Sequence, residues 1–285
     1  MKGKCKLYQI DCELQNSHLI PKFIFDYFKK TGGYMRKFEN PNLRVQDGPK
    51  KYLLGKKAEE TFNVRETWFA NNIFYPYQRD NITPLKYDEN LGYFIISVLW
   101  RVLVDQLDHP SVKNNPKLSF LKDVSEEWRL FLSEYKYPIN YDDLNIILTS
   151  RVSSHNMDAL YADLYTTRTI DATVISNEDD STVGVYVKFL RFMIWSIVKG
   201  HPTNGENLKV NFDHGEIELP QSINDDYFVG FLKNRMENID KGSNASEKQQ
   251  LIIQKELEKN EQNFWRSDAG NAIINDFQNR DKSSK

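Results

Sequence analysis

Apolar positions recur along this chain at helical spacing in its first half, and in short β-rich runs in its middle. After a short hairpin-like start, Phe23, Ile24, Tyr27 and Phe28 repeat at intervals of three and four. That spacing predicts a helix entered at Pro21 and stopped by Gly32 and Gly33. Residues 33–50 are turn-rich, with Asn40-Pro41 and Asp47-Gly48 as turn signals. Tyr52-Leu53-Leu54 reads as a short strand. Helical periodicity resumes through Ala58, Phe62, Arg65, Trp68 and Phe69, and Pro76 is expected to close that helix. Two more helices follow, one over 85–108 and an amphipathic one from about 118 to Pro138, with the proline-containing loop HPSVKNNPK between them.

Past residue 140 the pattern turns toward strands. DLNIILTSRV, YADLYTTRTIDATVISN and GVYVKFLRFMIWSIVKG carry β-branched and aromatic residues, the last as one strand or a tight pair. Asp213-His214-Gly215 reads as a turn between two short strands. From about 225 the chain is helical again, ending in a short polar tail. The expected class is α+β: an N-terminal module over 1–80 and a mixed helical and antiparallel-strand body over 81–285, with no clear linker between them. Trp100, Trp128 and Trp195 lie in apolar stretches and are expected in the core.

Composition narrows the classes. Net charge is −2 and the hydrophobic content 40%. No global basic field points to nucleic acid, so such binding would need a local patch. The most apolar runs, 94–104 and 185–198, fall short of the roughly 20 residues of a membrane-spanning helix and are broken by charges. The N-terminus has no signal-peptide pattern. A reducing cytoplasm is the expected setting, because the two cysteines, Cys5 and Cys12, do not make a disulfide framework. Neither a phosphate loop of the Gly-x-x-x-x-Gly-Lys type nor a Gly-x-Gly-x-x-Gly fingerprint is present. Ser153-Ser154-His155-Asn156-Met157-Asp158 lacks a nucleophile elbow and reads as a loop.

Candidate chemistry concentrates near the N-terminus. The segments LQNSHLIPKFIFDYFKKTG and NPNLRVQDGPKKYLLGKKAEETFNVRETWFANNIFYP resemble an uncharacterised bacterial family related to the HNH/treble-clef nucleases. Its pattern runs C-x-x-C-G…S-H-I-I-P-K-F…N-P-N…Q-D-G…Y-L-L-C-x-x-C-E, and the resemblance covers about residues 5–77. It implies a ββα-like module with His18 as general base toward water. It also implies a divalent metal at the phosphate and a structural zinc on two Cys-x-x-Cys pairs.

The chain departs from that pattern where thiolates are needed. Cys5 stands, but Tyr8, Gly55 and Ala58 occupy the other three zinc positions, so no zinc is expected. Apolar contacts among Tyr8, Leu14, Leu53, Leu54, Ala58 and Phe62 would have to replace it. Ser17 stands where an acidic metal ligand often precedes the histidine. The following helix offers Glu59, Glu60 and Glu66 instead, carboxylates able to bind Mg²⁺. A locally basic stretch, Lys29, Lys30, Arg36, Lys37, Arg44, Lys50 and Lys51 (with Lys56 and Lys57 beyond), has Tyr34 and Phe38 interleaved and could meet a phosphate backbone. Two activities follow from the resemblance, and the loss of three of four zinc thiolates and of the acid beside His18 favours the first, with the second as the alternative. One is a catalytically degenerate protein that binds nucleic acid or a protein partner without any cofactor. The other is an active Mg²⁺-dependent endonuclease using His18, Glu59, Glu60 and Glu66.

Overall fold

The computed structural model describes residues 1–32, 35–37, 40–136, 140–150, 162–241, 245–259 and 261–283. The expectations for Tyr34, Phe38, Pro138 and residues 153–158 lie outside them. The chain is a mixed α+β protein with small antiparallel sheets.

The N-terminal module opens with a hairpin, β1 (Lys2–Lys4) against β2 (Asp11–His18), turned at Gln9 in a left-handed conformation. Helix α1 (Lys22–Lys30) follows, entered from Pro21. A short ribbon, β3 (Met35–Arg36) with β4 (Arg44–Val45), leads to β5 (Lys50–Gly55), which closes a three-stranded sheet in the order β1-β2-β5. Helix α2 (Lys56–Phe69) starts directly from β5. Leu14, Leu53, Leu54, Ala58 and Phe62 are buried together, with Tyr8 packed at the edge, so the apolar contacts expected in place of zinc are made.

Pro76 does not close the helix. A π-helical turn (Ala70–Phe74) lets the Tyr75 N–H bond the carbonyl of Ala70, and Pro76 falls in the first turn of α3 (Tyr75–Gln78). A missing N–H costs nothing there. The next helix starts later than the periodicity predicts. Leu85–Tyr87 forms β6, and Asp88 then caps α4 (Glu89–Gln106) by accepting from the Asn90 N–H at 3.0 Å. The loop beyond contains α5 (Pro110–Lys113) and a 3₁₀ turn (Pro116–Leu118) before α6 (Leu121–Glu134), which ends at Tyr135 in a left-handed conformation.

The main sheet comprises β7 (Leu144–Leu148), β8 (Ile170–Ser176), β9 (Val183–Phe189) and β10 (Phe192–Lys199) in the antiparallel order β7-β10-β9-β8. The run 185–198 is therefore a tight pair. The strand expected from 161 begins only at Ile170, because Ala162–Arg168 is helix α7. Asp276 explains this: its carboxylate accepts from the N–H groups of Asp163 and Leu164 and caps that helix from across the fold. Such capping overrides the local β propensity. Asp213-His214-Gly215 does not join a hairpin either. β11 (Gly205–Glu206) pairs with β13 (Ser222–Ile223), while β12 (Gly215–Ile217) pairs back to β6. Helices α8 (Asp226–Lys241), α9 (Glu247–Lys259), α10 (Glu261–Trp265) and α11 (Asp268–Ser283) complete the chain.

An aromatic seam ties the module to the body. Phe69 of α2 stacks on Phe94 of α4 at 3.8 Å between ring centroids and meets Phe192 of the main sheet edge-on. Trp100, Trp128 and Trp195 are all buried. Among the described residues no helix is long and apolar enough to cross a membrane.

Candidate functional site

Strand pairing builds the site. His18 ends β2 and sits opposite Lys50 at the start of β5. The turn before β5 therefore returns Asp47 to the histidine: Nε2 of His18 lies 2.9 Å from Oδ1 of Asp47. The pair is off a well-formed hydrogen-bond line, since Nε2 is buried without such a partner, so the contact is chiefly electrostatic. Gly48 allows the approach. A Cβ there would come within 2.1 Å of the Phe25 ring, which itself stacks on the imidazole at 6.0 Å. Burial pushes the Asp47 carboxyl up, but Lys50, His18 and the Gly48 N–H outweigh it and hold the group well below the usual carboxylate range.

His18, Glu59, Glu60 and Glu66 share one open cleft of about 340 Å³, together with Lys22, Asn63 and Arg101. The geometry of α2 accounts for the carboxylates. Glu59, Asn63 and Glu66 follow at i, i+4 and i+7, which puts them on one helix face. Their environments differ. Glu59 has Oε1 buried without a hydrogen-bond partner. Glu66 is paired with Arg101, Oε1 to Nη1 at 2.8 Å. Glu60 is exposed and faces only Lys56 of its own helix at 3.8 Å. Ser17 is buried, and its hydroxyl turns to the Gln15 carbonyl, so the residue before the histidine places no charge in the cleft. Among the described residues, no three His, Cys, Asp or Glu side chains stand together as a group able to hold a metal ion.

The positions at which the resemblance expects zinc ligands do converge. Cys5 is buried, and its Sγ accepts the Gly55 N–H at 3.4 Å. The Cys12 side chain fills the space in front of Gly55, where a Cβ would stand 2.4 Å from its sulfur. Tyr8 reaches Thr61 at 3.0 Å, its ring lying under the Lys57 ammonium, while Ala58 is buried beneath. Both cysteines are free thiols.

The basic stretch is largely neutralised by its surroundings. Lys29 faces Asp26 at 3.2 Å, Lys50 faces Asp47 at 2.7 Å, Lys51 faces Asp105 at 3.0 Å and Arg44 meets Glu256. Arg36 donates to the Pro41 carbonyl at 2.7 Å, and burial lowers its pKa, with Arg44 beside it adding to the effect. Lys30 and Lys37 remain exposed. The stretch is thus a mixed-charge surface rather than a positive stripe.

Besides the exposed Lys22, three participants escaped the sequence pattern. Asp47 reads as a turn residue, and only the β2–β5 register reveals its partner. Asn63 was hidden in a helix whose carboxylates drew attention. Arg101 belongs to α4, beyond the segment of resemblance, and no local signal marks it. No family model matches the chain, and comparison with curated proteins and with solved structures returns no match either.

Proposed function

We propose that the cleft is an HNH-like hydrolytic centre acting on phosphodiesters, with His18 as its general base. The observation that carries this reading is the convergence of His18 with Glu59 and Glu66 in one open cleft, beside Asp47 at the far ring nitrogen. With Nε2 turned to Asp47, Nδ1 is the nitrogen left to take a proton from water. The nearby carboxylate favours the Nε2–H tautomer. Burial on one flank and the Phe25 ring keep the imidazole in a single orientation.

A divalent cation fits the donor set to a limited degree. Glu59, whose buried Oε1 has no hydrogen-bond partner, is the residue suited to hold it, while Glu66 is engaged by Arg101. Mg²⁺ is commonly bound through one or two carboxylates, with waters and substrate oxygens completing its shell. When bound, it would neutralise charge on a phosphodiester oxygen. The convergence of Cys5, Tyr8, Gly55 and Ala58 around the start of α2 supports a treble-clef-like module held by packing instead of zinc.

Plasmid nicking in Mg²⁺ or Mn²⁺, with His18→Ala as control, tests the reading. Nicking that falls by two orders of magnitude or more in the variant is the expected result. No nicking by the folded wild-type protein in either metal sinks it. A second reading has one observation in its favour: Ser17 puts no acid beside the histidine. It makes the chain a silent binder of nucleic acid or of a protein partner, and a gel shift without nicking is its signature.

A further inference from the structure

Arg101 is the most buried charged group of the cleft, at 3% exposure. It lies far from His18 in sequence, yet most of its donors are aimed at the centre or its support. Nε donates to the Ser97 carbonyl at 3.1 Å and fixes the side chain on α4. Nη1 donates to the His18 carbonyl at 3.1 Å and pairs with Glu66 at 2.8 Å. The guanidinium lies over the Phe62 ring, 5.2 Å from its centroid, which sets its plane. Nη2 is buried and has no partner. A planar fork anchored on one side, with an unpaired donor left at the edge of the cleft, is the arrangement that recognises tetrahedral oxyanions.

We propose that Arg101 binds a non-bridging oxygen of the substrate phosphodiester through Nη2, so that the body of the protein completes a centre begun by the N-terminal module. This rests on the hydrolytic reading of the cleft. Occupant chemistry follows from charge. Glu59, Glu60 and Glu66 would repel a phosphate that came alone. Arg101 and Lys22 offset part of that, and a divalent cation on Glu59 would offset the rest. Phosphate and cation therefore bind with positive coupling, each raising the affinity for the other by the same factor. Glu66 holds Nη1 and tempers the positive field that the phosphate meets.

The test is fluorescence anisotropy of a short fluorescein-labelled DNA duplex, titrated in Ca²⁺ and in EDTA. Arg101→Lys keeps the charge and removes the fork, and it weakens binding roughly tenfold or more. Glu66→Gln removes a competing charge and tightens binding several-fold. Opposite signs are what a purely structural ion pair cannot give, since breaking it from either side would loosen the same site. Two variants that weaken binding equally, or an Arg101→Lys protein that is folded and binds as the wild type does, overturn the proposal. Should Arg101→Lys fail to fold, the arginine ¹⁵Nη resonances of the wild-type protein titrated with inorganic phosphate decide: a shift of one resonance that grows with Ca²⁺ supports the role, and none removes it. Failure here is separable from failure of the centre. Nicking lost in His18→Ala with duplex affinity unchanged in Arg101→Lys leaves the centre and discards the phosphate role. A wild-type protein that neither nicks nor binds discards both.

Discussion

Gly55→Ala is expected to destabilise the protein, and only because of Cys12. Gly55 has φ −83° and ψ 168°, an extended conformation open to any residue, so the substitution brings no backbone strain. Its added Cβ would stand 2.4 Å from the Cys12 sulfur but 3.7 Å from the Cys12 Cβ. The first distance forces a shift of about 1 Å beyond ordinary contact, and the second is ordinary contact already. The β2–β5 ladder, which pairs Leu14 with Gly55, resists that shift. Overpacking of this kind costs about 1–3 kcal/mol. In a Cys12→Ala background the clash is gone, and the same substitution becomes neutral or stabilising by up to about 1 kcal/mol through the unfolded chain. A double-mutant cycle by urea unfolding, followed by tryptophan fluorescence under reducing conditions, should therefore give a coupling of roughly 1–3 kcal/mol. Additive free energies would refute the idea that the Cys12 thiol occupies the space in front of Gly55.

Asp47→Asn should lower stability at neutral pH by of order 1 kcal/mol, given the partial exposure of its partners. The wild-type carboxyl is depressed in the folded state, so its contribution is present above about pH 4, the unfolded value, and fades as pH falls toward the folded one. Urea midpoints of the two proteins should differ at pH 7, and the gap should begin to narrow only below about pH 4; a gap that does not narrow at the lowest pH where the protein stays folded contradicts the assignment. Lys188 is buried in the main sheet, with Nζ donating to the carbonyls of Leu190 at 2.6 Å and Thr169 at 3.2 Å. Burial drives its pKa well below the ordinary value, against the pull of Asp171. The unfolded chain then binds the proton more tightly, and stability rises as pH climbs from neutral toward about 10. Lys188→Met should flatten that slope in pH-dependent urea melts, and an unchanged slope would exclude Lys188 as its source. Phe69→Ala should cost about 3–5 kcal/mol by opening the aromatic seam, read by the same unfolding assay; a loss below about 1 kcal/mol would show that the seam repacks.

Local chemistry made the N-terminal module legible. Helix periodicity located α1, α2 and α6, and the Asp47-Gly48 signal located the turn before β5. What escaped was set by partners distant in sequence. The π-turn that carries the chain past Pro76 holds Phe74, whose ring stacks on Phe192 of the main sheet. α7 is helical over β-leaning residues because Asp276 caps it from α11. Leu85–Tyr87 extends as a strand because Gly215–Ile217 lies beside it. The candidate site divides in the same way. His18 and the glutamates could be named from the resemblance, whereas Asp47 required the β2–β5 register and Arg101 required the packing of α4 on α2.

That division bears on what holds the first hairpin against α2. A small module held by metal has its ligand geometry set by four thiolates. Here the start of α2 is fixed by Ala58 and Phe62 in the core, by the Cys5–Gly55 contact, and by Arg129, which donates to the Leu7 carbonyl at 2.9 Å from α6. Arg101 performs the matching task at the other end of the module, on the His18 carbonyl. Both arginines grip backbone oxygens of the first hairpin from helices of the body. The hairpin and α2 are thereby held in register by long-range hydrogen bonds that help the cleft between them keep its shape. On this account the body after residue 80 is the scaffold of the centre, and substitutions in α4 or α6 that release those carbonyls should disturb the cleft before they unfold the protein.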